Sequence, residues 1–311
     1  METPLVLMKW PGVISTVIIG AKKEEGGSRS DTVKIGGQST LPLLFKEGLI
    51  PNKPKIAFEI WDIPPLDFDE ELLAAYGGAI NDPLAWADIC VNKYQAQLLC
   101  LKMQGTHPDF GNKSPESAAK FISVLLTKVK VPLIIIGSGD EDKDNLIMPA
   151  CSEAARGERC LLGCAVQDNY KTFTASVLAD GHSIIAQSPI DINIAKQLNI
   201  LISDRGLSLE RIVIDPTIGA LGYGLEYAYS IMERARLAAL SGDKILASPF
   251  ICFVGQEAWR AKEAKASPQQ GIIWETLTAT SLIQSGADLL VMRHPKAIAK
   301  VNKCIEDLFR I

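Results

Sequence analysis

Eight apolar runs of strand length recur along this chain, each followed by a stretch with helical spacing, and no other feature limits the fold as strongly. The runs are KIAFEI, QLLCLKM, PLIIIGSG, CLLGCAVQ, SIIAQSP, RIVIDPT, PFICFVG and DLLVMRHP. Their near-continuous apolar character suits parallel strands covered on both faces, because strands with one wet face alternate. Between them, Ile192, Ala195, Leu198 and Ile202 share one helical face. So do Ala228, Ile231, Ala235 and Ala238, and then Ile298, Val301, Ile305 and Leu308. Residues 56–311 therefore read as an α/β fold, a closed TIM (β/α)8 barrel, for which about 250 residues is the usual size. An open doubly wound sheet would place Gly-x-Gly-x-x-Gly after its first strand, and EIWDIPPLDF contains no glycine.

Residues 1–55 stand outside that rhythm. VISTVIIGAKKEEGGSRSDTVKIGGQSTLP holds two β-branched runs, each ending near glycine, around a charged segment. The expectation is a β-hairpin-like extension that closes the barrel floor or meets a partner, since an open barrel end lets water reach the core. The formal net charge of -4 offers no basic excess for phosphates, so no nucleic acid is expected. No apolar run approaches the roughly 18 to 20 residues of a membrane span, and the beginning of the chain lacks a basic segment ahead of a hydrophobic one. The expected location is cytoplasmic. The seven cysteines, at 90, 100, 151, 160, 164, 252 and 304, lie mostly in apolar contexts and read as reduced, buried thiols. Cys160 and Cys164 come nearest to a metal pair, yet on one strand their sulfurs would stand roughly 13 Å apart. No iron-sulfur cluster and no metal site is expected in this chain.

Chemistry in such barrels gathers at the carboxyl ends of the strands. There the sequence places Glu59, Asp62, Lys102, Gln104, Gly137 to Asp140, Gln167, Asn169, Ser188, Asp191, Asn193, Asp215, Thr217, Gly255, Arg293 and His294. The set is rich in amides and small residues and contains no grouping that names a reaction, so no catalytic residue is assigned. Lys102 could form a Schiff base if desolvated, but an ion pair with a barrel carboxylate is the plainer expectation. Asp215, ahead of Pro216, reads as a backbone cap, although a general base would also fit. Asp191 and Asn193 read as caps of the helix that follows them. Asp180, Gly181 and His182 open like a corrinoid-binding Asp-x-His-x-x-Gly motif, but position 185 is Ile185, which makes them a floor loop instead. Arg293 and His294 either steady an anion or open the last helix ahead of Pro295.

DPTIGALGYG carries Gly219, Gly222 and Gly224 immediately before a regular helix. Three readings stay open here: free amides for a phosphate, glycines for a tight turn, or a bare backbone against which a broad flat ligand lies.

DPTIGALGYGLEYAYSIMERARLAAL, SPIDINIAKQLNILI, EIWDIPP, CFVGQEAWRAKEA and GGSRSDTVKIGGQSTLP together resemble the small (delta) subunit of the corrinoid iron-sulfur protein of the acetyl-CoA synthase/CO dehydrogenase system, and the resemblance spans essentially the whole chain. It implies a barrel paired with a large subunit that carries a [4Fe-4S] cluster and a corrinoid domain, the corrinoid being shared between that domain and this barrel's mouth. It also implies a heterodimer that takes a methyl group from methyltetrahydrofolate through a separate methyltransferase and delivers it to acetyl-CoA synthase. Loop geometry then puts Gly219, Gly222 and Tyr223 near the corrin edge, with Asp191, Asn193 and Thr217 as hydrogen-bond partners of its amide side chains. The rivals are a stand-alone pterin-binding methyltransferase, for which Asp62, Asp140, Asp191 and Asn193 would serve, and a scaffold that touches no cofactor.

Overall fold

The computed structural model describes residues 7–310. All eight expected strands are present: β3 (Lys55–Trp61), β4 (Leu99–Lys102), β5 (Leu133–Ile136), β6 (Leu161–Ala165), β7 (Ser183–Gln187), β8 (Ile212–Asp215), β9 (Phe250–Cys252) and β10 (Ala287–Met292). Each pairs in parallel with its sequence neighbour, and β10 pairs with β3, so the sheet closes. The ring of helices comprises α1 (Glu70–Tyr76), α2 (Pro83–Asn92), α3 (Pro115–Lys128), α4 (Glu141–Ala154), α5 (Tyr170–Asp180), α6 (Ile192–Ser203), α7 (Leu225–Leu240), α8 (Val254–Ala258), α9 (Pro268–Ser285) and α10 (Pro295–Leu308). Among the described residues no helix is long and apolar enough to cross a membrane.

The three apolar stripes face the strands as their spacing requires. Ala195, Leu198 and Ile202 are buried, as are Ala228, Ile231 and Ala235, and Ile298, Val301 and Ile305. All of these but Ile231 pack with the outward-pointing strand residues, such as Phe58, Leu101 and Ile214, into one core between sheet and helices. Side chains alternate along a strand, so the other half of each strand fills the barrel itself. Ala57, Leu98, Ile134, Leu161, Ile185 and Val213 belong to this second, interior core.

The extension supplies the floor of that interior. β1 (Thr16–Ile19) and β2 (Val33–Gly36) pair antiparallel, with Val17 opposite Ile35 and Ile19 opposite Val33. These four apolar side chains lie on one face and join the interior core, while Lys34 points to solvent. The charged loop between the two strands is clamped by Arg29, which is buried. Its guanidinium donates to the carbonyls of Leu126 and Val129 at the end of α3 (2.7 Å each) and to Glu158 Oε2 (2.7 Å). A cation at the unsatisfied carbonyls of a helix end is favourable both as hydrogen bond and as charge.

Ile35→Ala leaves a cavity between hairpin and barrel, and urea denaturation is expected to show a loss of about 2–5 kcal/mol of unfolding free energy. A loss well under about 1 kcal/mol would mean that the hairpin merely leans on the floor.

Candidate functional site

The interior changes character toward the carboxyl ends of the strands. The positions that follow Ala57, Cys100, Ile185, Val213 and Val291 in the inward alternation are Glu59, Lys102, Gln187, Asp215 and Arg293. A cavity of about 510 Å³ opens above them, lined by Trp61, Phe68, Lys102, Gln104, Gln187 and Arg293, among others.

A buried ion pair holds one side of this mouth. Arg293 donates from Nε to Glu59 Oε2 (3.0 Å) and from Nη2 to Oε1 (2.7 Å), and Trp61 Nε1 adds a third bond to Oε1 (2.7 Å). Burial alone would raise the Glu59 carboxyl, but the charge and hydrogen bonds of Arg293 outweigh it and hold the group below the usual carboxylate range. The guanidinium also lies over the Phe68 ring, 4.6 Å from its centroid. Behind it, Glu275 of α9 accepts from Arg293 N (2.6 Å), His294 N (3.1 Å) and Trp259 Nε1 (2.9 Å). Burial pushes Glu275 up to about 7, and Asp215 likewise to about 7.

Lys102 departs from the sequence expectation. It makes no ion pair: among the described residues no carboxylate oxygen comes within 4.0 Å of its ammonium, which instead lies 5.3 Å from the Trp61 ring centroid. Glu59, the obvious partner, has both oxygens engaged by Arg293. Arg293 is thereby a structural pair and not a free anion site.

The residues assigned from the sequence fall in one sector of the rim, on the loops after β7 and β8, and none of them lines the cavity. Asp191 caps α6, its Oδ1 accepting from Asn193 N (2.6 Å) and Ile194 N (3.2 Å). Asn193 is exposed, and only its backbone takes part in the cap. Thr217 sits at φ +56° and links the two loops through Oγ1 to Ser188 O (2.8 Å), while its N–H donates to Asp215 Oδ1 (2.9 Å), the backbone cap expected of that aspartate. A Cβ on Gly219 would stand 2.2 Å from Tyr223 O, so only glycine permits this tight turn. Gly222 and Gly224 have φ +80° and +93°, and the second is the N-cap of α7. Tyr223 Oη donates to Glu263 Oε2 (2.9 Å) and accepts from Lys262 N (3.1 Å), tying the turn to the loop before α9. Ile190 holds the left-handed region at φ +48°, a strained place for a β-branched residue.

Around the cavity the rim exposes large apolar side chains: Leu66, Phe110, Ile190, Tyr223 and Tyr227, with Leu66 at 79% and Tyr227 at 62% exposure. Reading strand ends located Lys102, Gln104, Asn169 and Arg293 but missed Trp61, Phe68 and Trp259 as lining residues. Trp61 was available from strand parity, two positions after Glu59. His182 lies on the floor as expected, its Nδ1 accepting from Cys160 N (3.1 Å) and Nε2 facing Ser152 O (2.9 Å). His294 opens α10, with Nδ1 accepting from Lys296 N (3.0 Å).

A family model described as CO dehydrogenase/acetyl-CoA synthase delta subunit matches residues 16–302. The chain belongs to this family. The acetyl-CoA decarbonylase/synthase complex subunit delta of Methanopyrus kandleri is 35% identical over 303 residues, 95% of this chain and 75% of that protein. Its counterpart from Methanocaldococcus jannaschii is 36% identical over 307 residues, 96% of this chain and 75% of that one. Among solved structures, Xanthomonas albilineans dihydropteroate synthase with 4-aminobenzoic acid superposes with a TM-score of 0.60 at 14% identity, covering 85% of this chain and 96% of that one. The same enzyme in complex with 7,8-dihydropteroate also gives 0.60 at 14% identity, over 85% and 97%. At that identity the likeness is one of fold, and this delta subunit family shares a barrel architecture with those synthases.

Burial holds His294 down at about 4, against 6.5 for an ordinary histidine. Between these values the unfolded chain binds more protons than the folded one. The contribution of His294 to stability is therefore present at neutral pH and lost as pH falls from 6.5 through about 4. In an NMR titration its ring resonance is expected to move with a midpoint near 4, and a midpoint near 6.5 would contradict its burial in the fold.

Proposed function

We propose that this chain is the small subunit of a heterodimeric corrinoid iron-sulfur methyl carrier, and that its barrel mouth covers the corrinoid. The partner in this reading is a large subunit bearing the corrinoid domain and a [4Fe-4S] cluster. The complex takes a methyl group from methyltetrahydrofolate through a separate methyltransferase and passes it to acetyl-CoA synthase. When bound, the corrinoid supplies the cobalt that carries the methyl group.

The observation that carries this reading is the rim. Exposed Leu66 and Phe110 follow β3 and β4, and exposed Ile190, Tyr223 and Tyr227 follow β7 and β8, so apolar groups stand on two sides of the barrel's carboxyl end, which suits a broad face lying across the opening and not a small molecule swallowed by it. Exposed apolar patches of this kind mark contact surfaces. The task of the chain's own residues is to exclude water and orient the ring. Ile190 and Tyr223 offer an apolar edge and Gly222 a bare stretch of backbone beside it, while Thr217 and the β7 and β8 loops fix that edge in place. Asp191, Asn193 and Thr217 remain the proposed partners of corrin amide groups, Asn193 with its side chain free of the cap.

A pterin site is the competing reading, since the barrels of similar fold are dihydropteroate synthases. The four residues it would draw on stand away from the cavity lining. Asp62 pairs with Lys113 Nζ (2.9 Å) and accepts from Gly105 N (2.7 Å), and Asp140 caps a helix. The scaffold reading gives no role to these exposed apolar side chains.

The test mixes this chain anaerobically with its corrinoid-bearing partner. Covering predicts a change in the visible corrinoid spectrum on complex formation, and about tenfold weaker association for Tyr223→Ala, the loss expected of an interfacial tyrosine. Methyl transfer from methyltetrahydrofolate by the isolated chain would support the pterin enzyme instead. Association without any spectral change would support the scaffold.

A further inference from the structure

Lys102 is a strong charge on the cavity floor to which, among the described residues, no carboxylate oxygen comes within 4.0 Å. It stands at the end of β4 and faces the mouth. Of the other charges on this lining, Asp69 is half-buried and Lys265 exposed, and the rest stand as follows. Glu59, beside Lys102, is matched by Arg293 through two hydrogen bonds. Arg260 pairs with Glu257 (3.1 Å). Asp144 accepts from Ser138 N (2.8 Å), Ser138 Oγ (3.0 Å) and Gly139 N (3.0 Å). Asp67 and Glu141 are exposed, where water and salt screen them. Cys164, also on the lining, is a thiol that burial keeps protonated. Burial lowers the Lys102 ammonium from its ordinary value, and the charge of Glu59 and the electron-rich face of the Trp61 ring beneath it work against that shift.

A charge held in a half-buried floor acts on whatever covers the mouth far more strongly than it would across water. Resting on the reading that a corrinoid covers this mouth, we propose that Lys102 tunes the one-electron Co(II)/Co(I) couple, favouring the reduced metal. The electrostatics fix the sign. Reduction adds one electron, takes up no proton and breaks no bond in this chain, and it lowers the charge of the metal centre by one. A fixed positive charge facing the mouth would therefore stabilise the reduced state relative to the oxidised one. The electron comes from a low-potential donor, which in the reading above is the partner's iron-sulfur cluster. Lys102 is a positioning charge in this role and touches no reacting atom.

The experiment is a spectroelectrochemical titration of the purified two-subunit complex, comparing the unaltered chain with Lys102→Met and Lys102→Arg. Lys102→Met is expected to move the midpoint to more negative potential, so that at a fixed potential the ratio of Co(I) to Co(II) falls about tenfold, the order expected for one unit charge at effective dielectric about 20. Lys102→Arg keeps the charge and is expected to stay close to the unaltered chain. A midpoint unmoved in Lys102→Met, or moved positive, overturns the proposal. The parent reading fails separately: it falls if the unaltered chain leaves its partner's corrinoid spectrum unchanged on binding. Thermal melts of both variants establish that they fold, and equal shifts for Met and Arg would assign the effect to packing and also overturn the proposal.

Discussion

The barrel depends on a seam. β3, the first strand, hydrogen-bonds to β10, the last, with Lys55 opposite Leu289 and Phe58 opposite Met292. Glu59 and Arg293 lie over the mouth end of that seam, joining residues 234 positions apart. Closure leaves no sheet edge and turns one half of every strand inward. The same alternation that sends Val213, Ile185 and Val291 into the core therefore delivers Asp215, Gln187 and Arg293 to the opening. A buried pair of this kind is weak evidence for stability, because desolvation offsets much of the attraction. Its contribution here is geometric. It holds Arg293 against the Phe68 and Trp61 rings and occupies both oxygens of Glu59, so that Lys102 makes no ion pair with it.

The glycines of DPTIGALGYG turn out to serve different ends. Gly219 is required by the close approach of the Tyr223 carbonyl, whereas Gly222 and Gly224 supply left-handed backbone with open space around them. The tight-turn reading accounts for all three. It does not compete with the flat-ligand reading, because a turn built this way also keeps side chains off the rim. Beside it Ile190 and Thr217 hold left-handed conformations with a Cβ in place, on the two adjoining loops.

Much of this was legible in the sequence, because parallel strands buried on both faces leave apolar runs that turns and helices punctuate. All eight strands and three helical stripes stand where the spacing put them. The paired helices after β3 and after β9 were not legible, since α1 and α8 are only 7 and 5 residues long and too short to show a period. The fate of Lys102 was illegible for another reason. Pairing it with Glu59 is sound from proximity on neighbouring strands, but the closer partner comes from the far end of the chain and arrives only on closure. The same limit separates rim from cavity. Loop sequence gathered Asp191, Asn193, Thr217, Gly219, Gly222 and Tyr223 into one sector, yet which residues point down into the opening is decided by strand register, where a slip of one residue exchanges the two faces.

The central claim is that this rim is a contact face for a tetrapyrrole held by another chain. The most direct test is an experimental structure of this chain in complex with its corrinoid-bearing partner. The account predicts the corrin ring across the barrel mouth, with Ile190 and Tyr223 in van der Waals contact with its edge and Lys102 facing the ring. A macrocycle enclosed entirely by the partner, with this rim open to solvent, would contradict it.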